Sequence, residues 1–327
     1  MSDDLFAPSD SPYLDGLYPM TFLNTTFLKT FASSVWVASG TFGYAREMQG
    51  VVDFPRLGAV VPKTVTLLPR PGNPPPRTVE TAAGMLNSIG LDNDGIGEFL
   101  QQKLPYLQTL KTKIVLSIAV KDVGECQPMA EYIGSVEGID AVELNVSCPN
   151  VSGGVDFATN PLLCEQIVQK MRQELLQHSS AMPLIVKLSP NVWNIGEIAK
   201  GAEAGGADAI SAINTCLGLA VDWRKRRPRL GNGFGGLSGP TIKPIALRCV
   251  RHIYQAVKIP IIGIGGIETI DDAMEFFITG ASAIQVGTAN FYNPTATMQI
   301  LDALPGALAE LGAQSVADIV GTLEFSA

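Results

Sequence analysis

Eight short apolar runs recur along the chain, each followed by a longer stretch in which apolar residues return at helical spacing. The runs are VWVAS (35–39), LGAVVPK (57–63), KIVLSIA (113–119), DAVELN (140–145), PLIVKLS (183–189), DAISAIN (208–214), IPIIGIG (259–265) and SAIQVG (282–287). They are rich in Val and Ile and nearly continuous, as strands buried on both faces of a parallel sheet are. Between them, NPLLCEQIVQKMRQELLQ (160–177), IGEIAKGAEAGG (195–206) and IKPIALRCVRHIYQAV (242–257) read as helices. Eight such units predict an α/β fold, a (β/α)8 TIM barrel, rather than an open sheet. No shift of composition marks a linker. Residues 26–327 are therefore expected to form one barrel domain, and 1–25, acidic and proline-bearing, an N-terminal extension. The connections 64–112 and 215–258 are long for a compact domain, and long loops tend to carry function.

The strand ends draw the eye next. At their C-terminal ends stand Ser39-Gly40, Lys63, Ser117, Asn145, Lys187, Asn214, Gly265-Gly266 and Gly287-Thr288. In this fold those ends line the active-site mouth. One lysine ending a strand is usually a solvated end. Two lysines, two asparagines and two serines on one rim point to a shared ligand site. GIGGIET (263–269) and QVGTANF (285–291) put glycines just after the last two strands. They serve either as tight strand-to-helix turns or as a backbone cradle for a phosphate. GNGFGG (231–236) fits a dinucleotide fingerprint in letters only, because it neither follows a clear strand nor opens a helix.

Composition narrows the classes. Hydrophobic residues make up 46% of the chain and charged ones 17%, enough for a large core. The net charge of −8 argues against nucleic acid or an anionic membrane as the main partner. No apolar run reaches the ~18 residues of a membrane span. The N-terminus is unlike a cationic signal peptide, and the five cysteines show no CxxC pair and no metal-like spacing, so a reducing, cytoplasmic setting and no metal site are expected. The one dense basic run, RKRRPR (224–229), is either a solvated loop or dimer surface, or a docking patch for a redox partner.

Proton chemistry has few candidates. The only histidines, His178 and His252, fall in or at the end of predicted helices, away from the rim. Cys126, Cys164 and Cys249 lie in helical patterns and read as small buried hydrophobes. Cys216 is ambiguous. Cys148 differs: it follows the fourth strand by three residues, between Asn145 and Asn150, in a loop with Pro149 and Gly153-Gly154. A thiol of pKa ~8.5 can act as a general base if modestly tuned. Lysines beside a group that gains electrons, with a phosphate site nearby, would suit a flavin.

The stretches ASGTFG (38–43), GNPPPR (72–77), MLNSIGLDN (85–93), ELNVSCPN (143–150), VKLSPNV (186–192), INT (213–215), GGLSGPTIKP (235–244), GIGGIET (263–269) and VGTANF (286–291) together carry a specific likeness. From about residue 26 to the end, the chain resembles the soluble, class 1 dihydroorotate dehydrogenases. Within them it is most similar to the catalytic subunit of the NAD-linked type (class 1B).

The resemblance implies FMN across the barrel mouth with dihydroorotate stacked on it. Cys148 is then the base that removes the C5 proton while the C6 hydride passes to flavin N5, giving orotate. Membrane-associated relatives carry serine at this position. Lys63, Asn87, Gly90, Leu91, Asn145, Asn150, Asn214 and Thr215 would contact the substrate. Ser39, Gly40, Lys63, Thr64, Ser117, Asn145, Lys187, Ile213, Gly239, Gly265, Gly266, Gly287 and Thr288 would surround FMN. A homodimer core is implied as well. The family's usual Asn-Pro before the first strand is Ser33-Ser34 here.

The acceptor is less settled by sequence. Ser117 resembles the fumarate-linked type (class 1A), whereas VKLSPNV and INT favour the NAD-linked one, in which a separate subunit with FAD and an iron–sulfur cluster takes the electrons. Other readings are a flavin barrel acting on another dihydropyrimidine or on tRNA dihydrouridine, the latter opposed by the charge, and a cofactor-free phosphate-binding barrel with a structural Cys148.

Overall fold

The structure, a computed structural model, describes residues 28–147, 157–178 and 182–325. The extension 1–25 lies outside them. Fourteen strands are present among the described residues: β1 (Val35–Val37), β2 (Ala59–Val60), β3 (Thr78–Thr81), β4 (Gly84–Asn87), β5 (Lys113–Ile118), β6 (Ala141–Asn145), β7 (Leu184–Leu188), β8 (Ala209–Ala212), β9 (Cys216–Leu219), β10 (Val221–Asp222), β11 (Arg227–Pro228), β12 (Phe234–Ser238), β13 (Ile261–Ile264) and β14 (Ala283–Val286). The eight apolar runs become β1, β2, β5, β6, β7, β8, β13 and β14. They close into a barrel in the order β1-β14-β13-β8-β7-β6-β5-β2, and every pairing is parallel. The predicted (β/α)8 barrel is therefore what forms.

The helices are α1 (Gly95–Glu98), α2 (Leu104–Gln108), α3 (Cys126–Gly134), α4 (Pro161–His178), α5 (Ile195–Ala204), α6 (Lys243–Ala256), α7 (Ile270–Thr279) and α8 (Ala296–Glu310). The three helical readings match α4, α5 and α6 to within two residues at each end. Two helix starts are marked by side-chain caps. Asn194 caps α5 by accepting from Gly196 N, and Thr269 and Asp272 form a reciprocal capping box on α7. Among the described residues no helix is long and apolar enough to cross a membrane.

Strand alternation sorts the barrel interior into layers. The lowest is apolar: Trp36, Ala59, Val61, Val115, Ala141, Ile185, Ala209, Ile262 and Ala283 form one buried cluster. Phe31 closes it from below, stacked on Trp36 at 4.5 Å between ring centroids. Gly58 makes that closure feasible, since a Cβ there would lie 2.3 Å from Trp36 Nε1. Two residues further along the same strands come Ser117, Glu143, Lys187, Ser211 and Gln285, all buried. The inner face thus turns from apolar to polar within one pleat, on the way to the C-terminal mouth.

The long connections hold structure that the sequence pattern did not predict. Strands β3, β4, β12 and β9 form a four-stranded antiparallel sheet, with β10 and β11 as a small ribbon. Segments about 150 residues apart meet in it, as Asn87 pairs with Gly236. The sheet stands at the C-terminal end of β8, because β9 begins four residues after β8 ends. Its inner face packs Val79, Leu86 and Leu230 together, whereas Leu217, Leu219 and Phe234 are exposed. GNGFGG leads into β12, so it forms no nucleotide-binding turn.

Candidate functional site

The polar layer beneath the mouth is ordered by one carboxylate. Glu143 is fully buried. Its Oε2 accepts from Ser211 Oγ at 3.0 Å and from Gln285 Nε2 at 2.9 Å. Its Oε1 lies 3.6 Å from Lys187 Nζ and has no hydrogen-bond partner among the described residues. Opposite them, Ser39 Oγ pairs with Thr64 Oγ1 at 3.0 Å, and Thr64 Oγ1 with Ser117 Oγ at 2.9 Å. Ser39 also donates to Pro62 O at 3.0 Å, which fixes the end of the β2 run.

Lys63 is the second cation. Its backbone N–H donates to Gly43 O at 3.1 Å. Burial holds its ammonium pKa below the ordinary lysine range; Asp92 opposes that shift and Lys187 adds to it. Gly40, at φ +81°, lets the chain turn beside it, and a Cβ there would stand 3.7 Å from Lys63 Nζ. Lys63 forms no ion pair among the described residues. A partly desolvated cation beside a second one favours an anion in the mouth.

A string of amides crosses the same opening. Asn214 Nδ2 donates to Asn145 Oδ1 at 3.3 Å, and Asn214 Oδ1 accepts from Thr215 N at 2.8 Å. Thr215 packs on Gly236, where a Cβ would fall 2.0 Å from its Oγ1. Asn87 Nδ2 donates to Gly236 O at 3.4 Å. The strand pairing that could not be read from sequence therefore carries Asn87 to Asn214 and Thr215. Gly90 and Leu91 follow in left-handed backbone, at φ +76° and +56°. Asn145 Oδ1 also accepts from Ser147 N at 3.1 Å. Cys148 and Asn150 lie outside the described residues.

The FMN that the resemblance implies needs a phosphate cradle, and the glycine loops fit one. Gly239, Gly265 and Gly266 are in left-handed or related backbone, at φ +96°, +129° and +73°. A Cβ on Gly266 would stand 2.8 Å from Lys243 Cβ and 3.0 Å from Gly239 O, so these two loops touch. Among the described residues, the N–H groups of Gly265, Gly266, Gly287 and Thr288 donate to no backbone carbonyl. Gly287 opens a 3-10 turn, Thr288–Phe291, whose first N–H groups have no internal acceptor. Two side-chain contacts brace the cradle: Lys243 Nζ to Asp272 Oδ1 at 2.6 Å, and the Tyr292 hydroxyl donating to Glu268. Ile213 supplies an apolar wall, its Cγ1 3.5 Å from where a Gly265 Cβ would be. With Lys187 beneath, the residues present suit a phosphorylated, electron-accepting ring.

Among the described residues, Cys126, Cys164 and Cys249 and both histidines lie in helices, and Cys216 follows Thr215 directly. Burial pushes the thiols of Cys126 and Cys164 up to about 12 and that of Cys249 up to about 11. Cys216, left open by its sequence context, is the first residue of β9, with its pKa raised by burial. His178 and His252 lie in α4 and α6. Several residues had escaped assignment. Asn191 donates to Thr215 O at 3.1 Å and accepts from Leu217 N at 2.8 Å, tying the β7 loop to β9. Its signal was its place in VKLSPNV. Glu143, Ser211 and Gln285 were hidden inside runs read as apolar.

Residues 22–308 match the family described as dihydroorotate dehydrogenase. Among curated relatives, "Dihydroorotate dehydrogenase B (NAD(+)), catalytic subunit" of Geotalea uraniireducens is 47% identical over 290 residues, covering 88% of this chain and 93% of that one. The proteins of the same name from Desulforamulus reducens and Alkaliphilus oremlandii are 48% and 49% identical, again over 88% of this chain and 93% and 94% of theirs. Among solved structures, that of DHODH in complex with ferulenol from Eimeria tenella superposes with a TM-score of 0.73 at 23% identity, covering 88% of this chain and 85% of that one. At that identity the superposition speaks for the fold alone. The motifs on the rim, the family match and the identity over most of the chain together show that this chain belongs to the dihydroorotate dehydrogenase family.

Proposed function

We propose that this chain oxidises (S)-dihydroorotate to orotate in pyrimidine biosynthesis, with FMN bound across the mouth and Cys148 as general base. The observation that carries it is the linked set Asn145–Asn214–Thr215, next to two cations and a glycine cradle. Dihydroorotate is a planar-edged anion rich in N–H and C=O groups, so amides can pair its edges while Lys63 meets its charge. The oxidation removes a proton from C5 and a hydride from C6 and leaves a C5=C6 double bond. FMN, when bound, would supply the two-electron acceptor for that hydride. The Cys148 thiolate takes the C5 proton and later releases it to water. Asn150, by its place in ELNVSCPN, joins the substrate amides, as do Asn87, Gly90 and Leu91. Ser39, Thr64 and Ser117 would help to hold the cofactor.

A partner subunit is implied by the catalytic-subunit names of the relatives. In this reading it carries FAD and an iron–sulfur cluster and passes electrons to NAD⁺, around a homodimer of this chain in the cytoplasm. The chain's single GxGxxG stretch leads into a strand, which supports placing nicotinamide binding elsewhere. The test is an absorption spectrum of the purified protein, identification of the released flavin, and anaerobic addition of dihydroorotate. A yellow protein that releases FMN and is bleached by dihydroorotate is expected. A colourless protein, or one bleached only by a different dihydropyrimidine, defeats the proposal.

A further inference from the structure

The geometry points to Glu143 as the residue that sets the reduction potential of the bound flavin, by offsetting the charge of Lys187; this rests on the cofactor reading above. A carboxylate removed from water is costly unless it is paired and hydrogen-bonded. Glu143 is fully buried in the middle of β6, above an apolar layer that offers it nothing. Its Oε2 is pinned by Ser211 Oγ and Gln285 Nε2, at 3.0 Å and 2.9 Å. That fixes Oε1 toward Lys187, 3.6 Å from Nζ, with no hydrogen bond of its own. The contact is a charge pair held by its neighbours. A barrel built only for stability would gain by replacing the pair with apolar side chains of similar volume.

The pair sits one layer below the mouth, so its balance of charge is felt by whatever lies across it. A cation under a flavin favours the reduced form, which carries added negative charge. An uncompensated Lys187 would hold electrons on the cofactor. Glu143 makes the same site weaker as an oxidant, and the electrons leave more readily for the next acceptor. Glu143 acts through Lys187 and touches neither substrate nor the reacting atoms, so it is a positioning residue.

The test is the two-electron midpoint potential of purified holoenzyme, by equilibration with reference dyes in the presence of excess FMN. Glu143→Gln keeps the shape and both pinning contacts but removes the charge. The reduction equilibrium should shift at least tenfold toward the reduced form, which is about 30 mV upward for a two-electron couple. Glu143→Asp, which keeps the charge, should return the potential toward that of the wild type. Should Glu143→Gln not fold, Glu143→Met/Lys187→Met carries the test. Losing both charges should leave the potential within about tenfold in that equilibrium of the wild type, whereas loss of an uncompensated lysine would lower it further. An unchanged or lowered potential in Glu143→Gln, with FMN bound, overturns the inference and leaves the cofactor reading intact. A wild-type protein without FMN overturns both.

Discussion

Asn214, just past the end of β8, donates its side-chain amide to Asn145 at the end of β6 at 3.3 Å, reaching across the end of β7. Two strand ends that are not neighbours in the sheet are thereby set at a fixed distance on the rim. Asn214→Ala removes this bond and the acceptor of Thr215 N. Each such bond is worth about 0.5–1.5 kcal/mol. The fold should lose on the order of 1–3 kcal/mol, and with one substrate amide gone and Asn145 no longer held, dihydroorotate and orotate should bind about tenfold more weakly. Titration of the flavin spectrum with orotate measures this, and unaltered affinity would count against the amide string.

Cys148→Ala should bind FMN normally and be reduced by dihydroorotate ~10²–10⁴-fold more slowly, the usual loss on removing a general base. Rapid mixing under anaerobic conditions reads the rate directly. Part of the loss should be recovered at high pH, where hydroxide substitutes. A near-normal rate would remove Cys148 from its role.

Lys63 makes the site sensitive to pH in a defined direction. Its pKa in the folded chain is held below the ordinary lysine value of 10.5 by burial. Between those two values the unfolded chain binds more protons than the folded one, so stability of the ligand-free protein rises with pH across that window. Below the folded pKa the cost of burying the charge is fully present. An anionic ligand reverses the preference, so orotate should bind best below the folded pKa of Lys63 and lose affinity as pH rises through it. Lys63→Met should flatten both profiles in urea unfolding and orotate titration. Profiles that match the wild type would show that another group is titrating.

Gly266→Ala places a Cβ 2.8 Å from Lys243 Cβ on a residue at φ +73°. The cradle loop must move away from Gly239, and FMN affinity should fall at least tenfold. Riboflavin, which lacks the phosphate, should bind the variant and the wild type alike. Equal losses for both ligands would mean that these glycines do not hold the phosphate.

The purified chain alone should oxidise dihydroorotate with artificial dyes, yet reduce neither NAD⁺ nor fumarate at a useful rate. Steady-state assays with each acceptor decide this. Rapid fumarate turnover would favour a second small substrate entering the same site and would leave the flavin chemistry standing.

The barrel was legible because its strands are buried on both sides. Runs such as KIVLSIA and PLIVKLS announce themselves by composition, and their ends by the polar residue that stops each run. The second sheet was not legible. β4 and β12 are short and glycine-bearing, only partly buried, and far apart in sequence, so neither periodicity nor propensity marks them. Their pairing is a tertiary fact, and it brings Asn87 to the rim. Glu143 and Gln285 were obscured differently. Each is a polar residue inside a run that is otherwise mostly apolar, and only the register of β6, β8 and β14 around the barrel reveals that Glu143, Ser211 and Gln285 meet. The family motifs supplied residue roles that no pattern of hydrophobicity could.

Val35 lies opposite Ile284 in the barrel, so the first of the described strands to be synthesised pairs with the last of them. During translation β1 leaves the ribosome early and β14 follows about 250 residues later. Until then one edge of β1 has no strand beside it, and exposed strand edges invite pairing with other chains. Non-local closure of this kind also slows folding. A stop codon between β1 and Ala283, which leaves β1 in a chain that lacks β14, would leave that edge permanently open. Premature termination of this protein should therefore yield aggregated chains rather than a smaller soluble barrel.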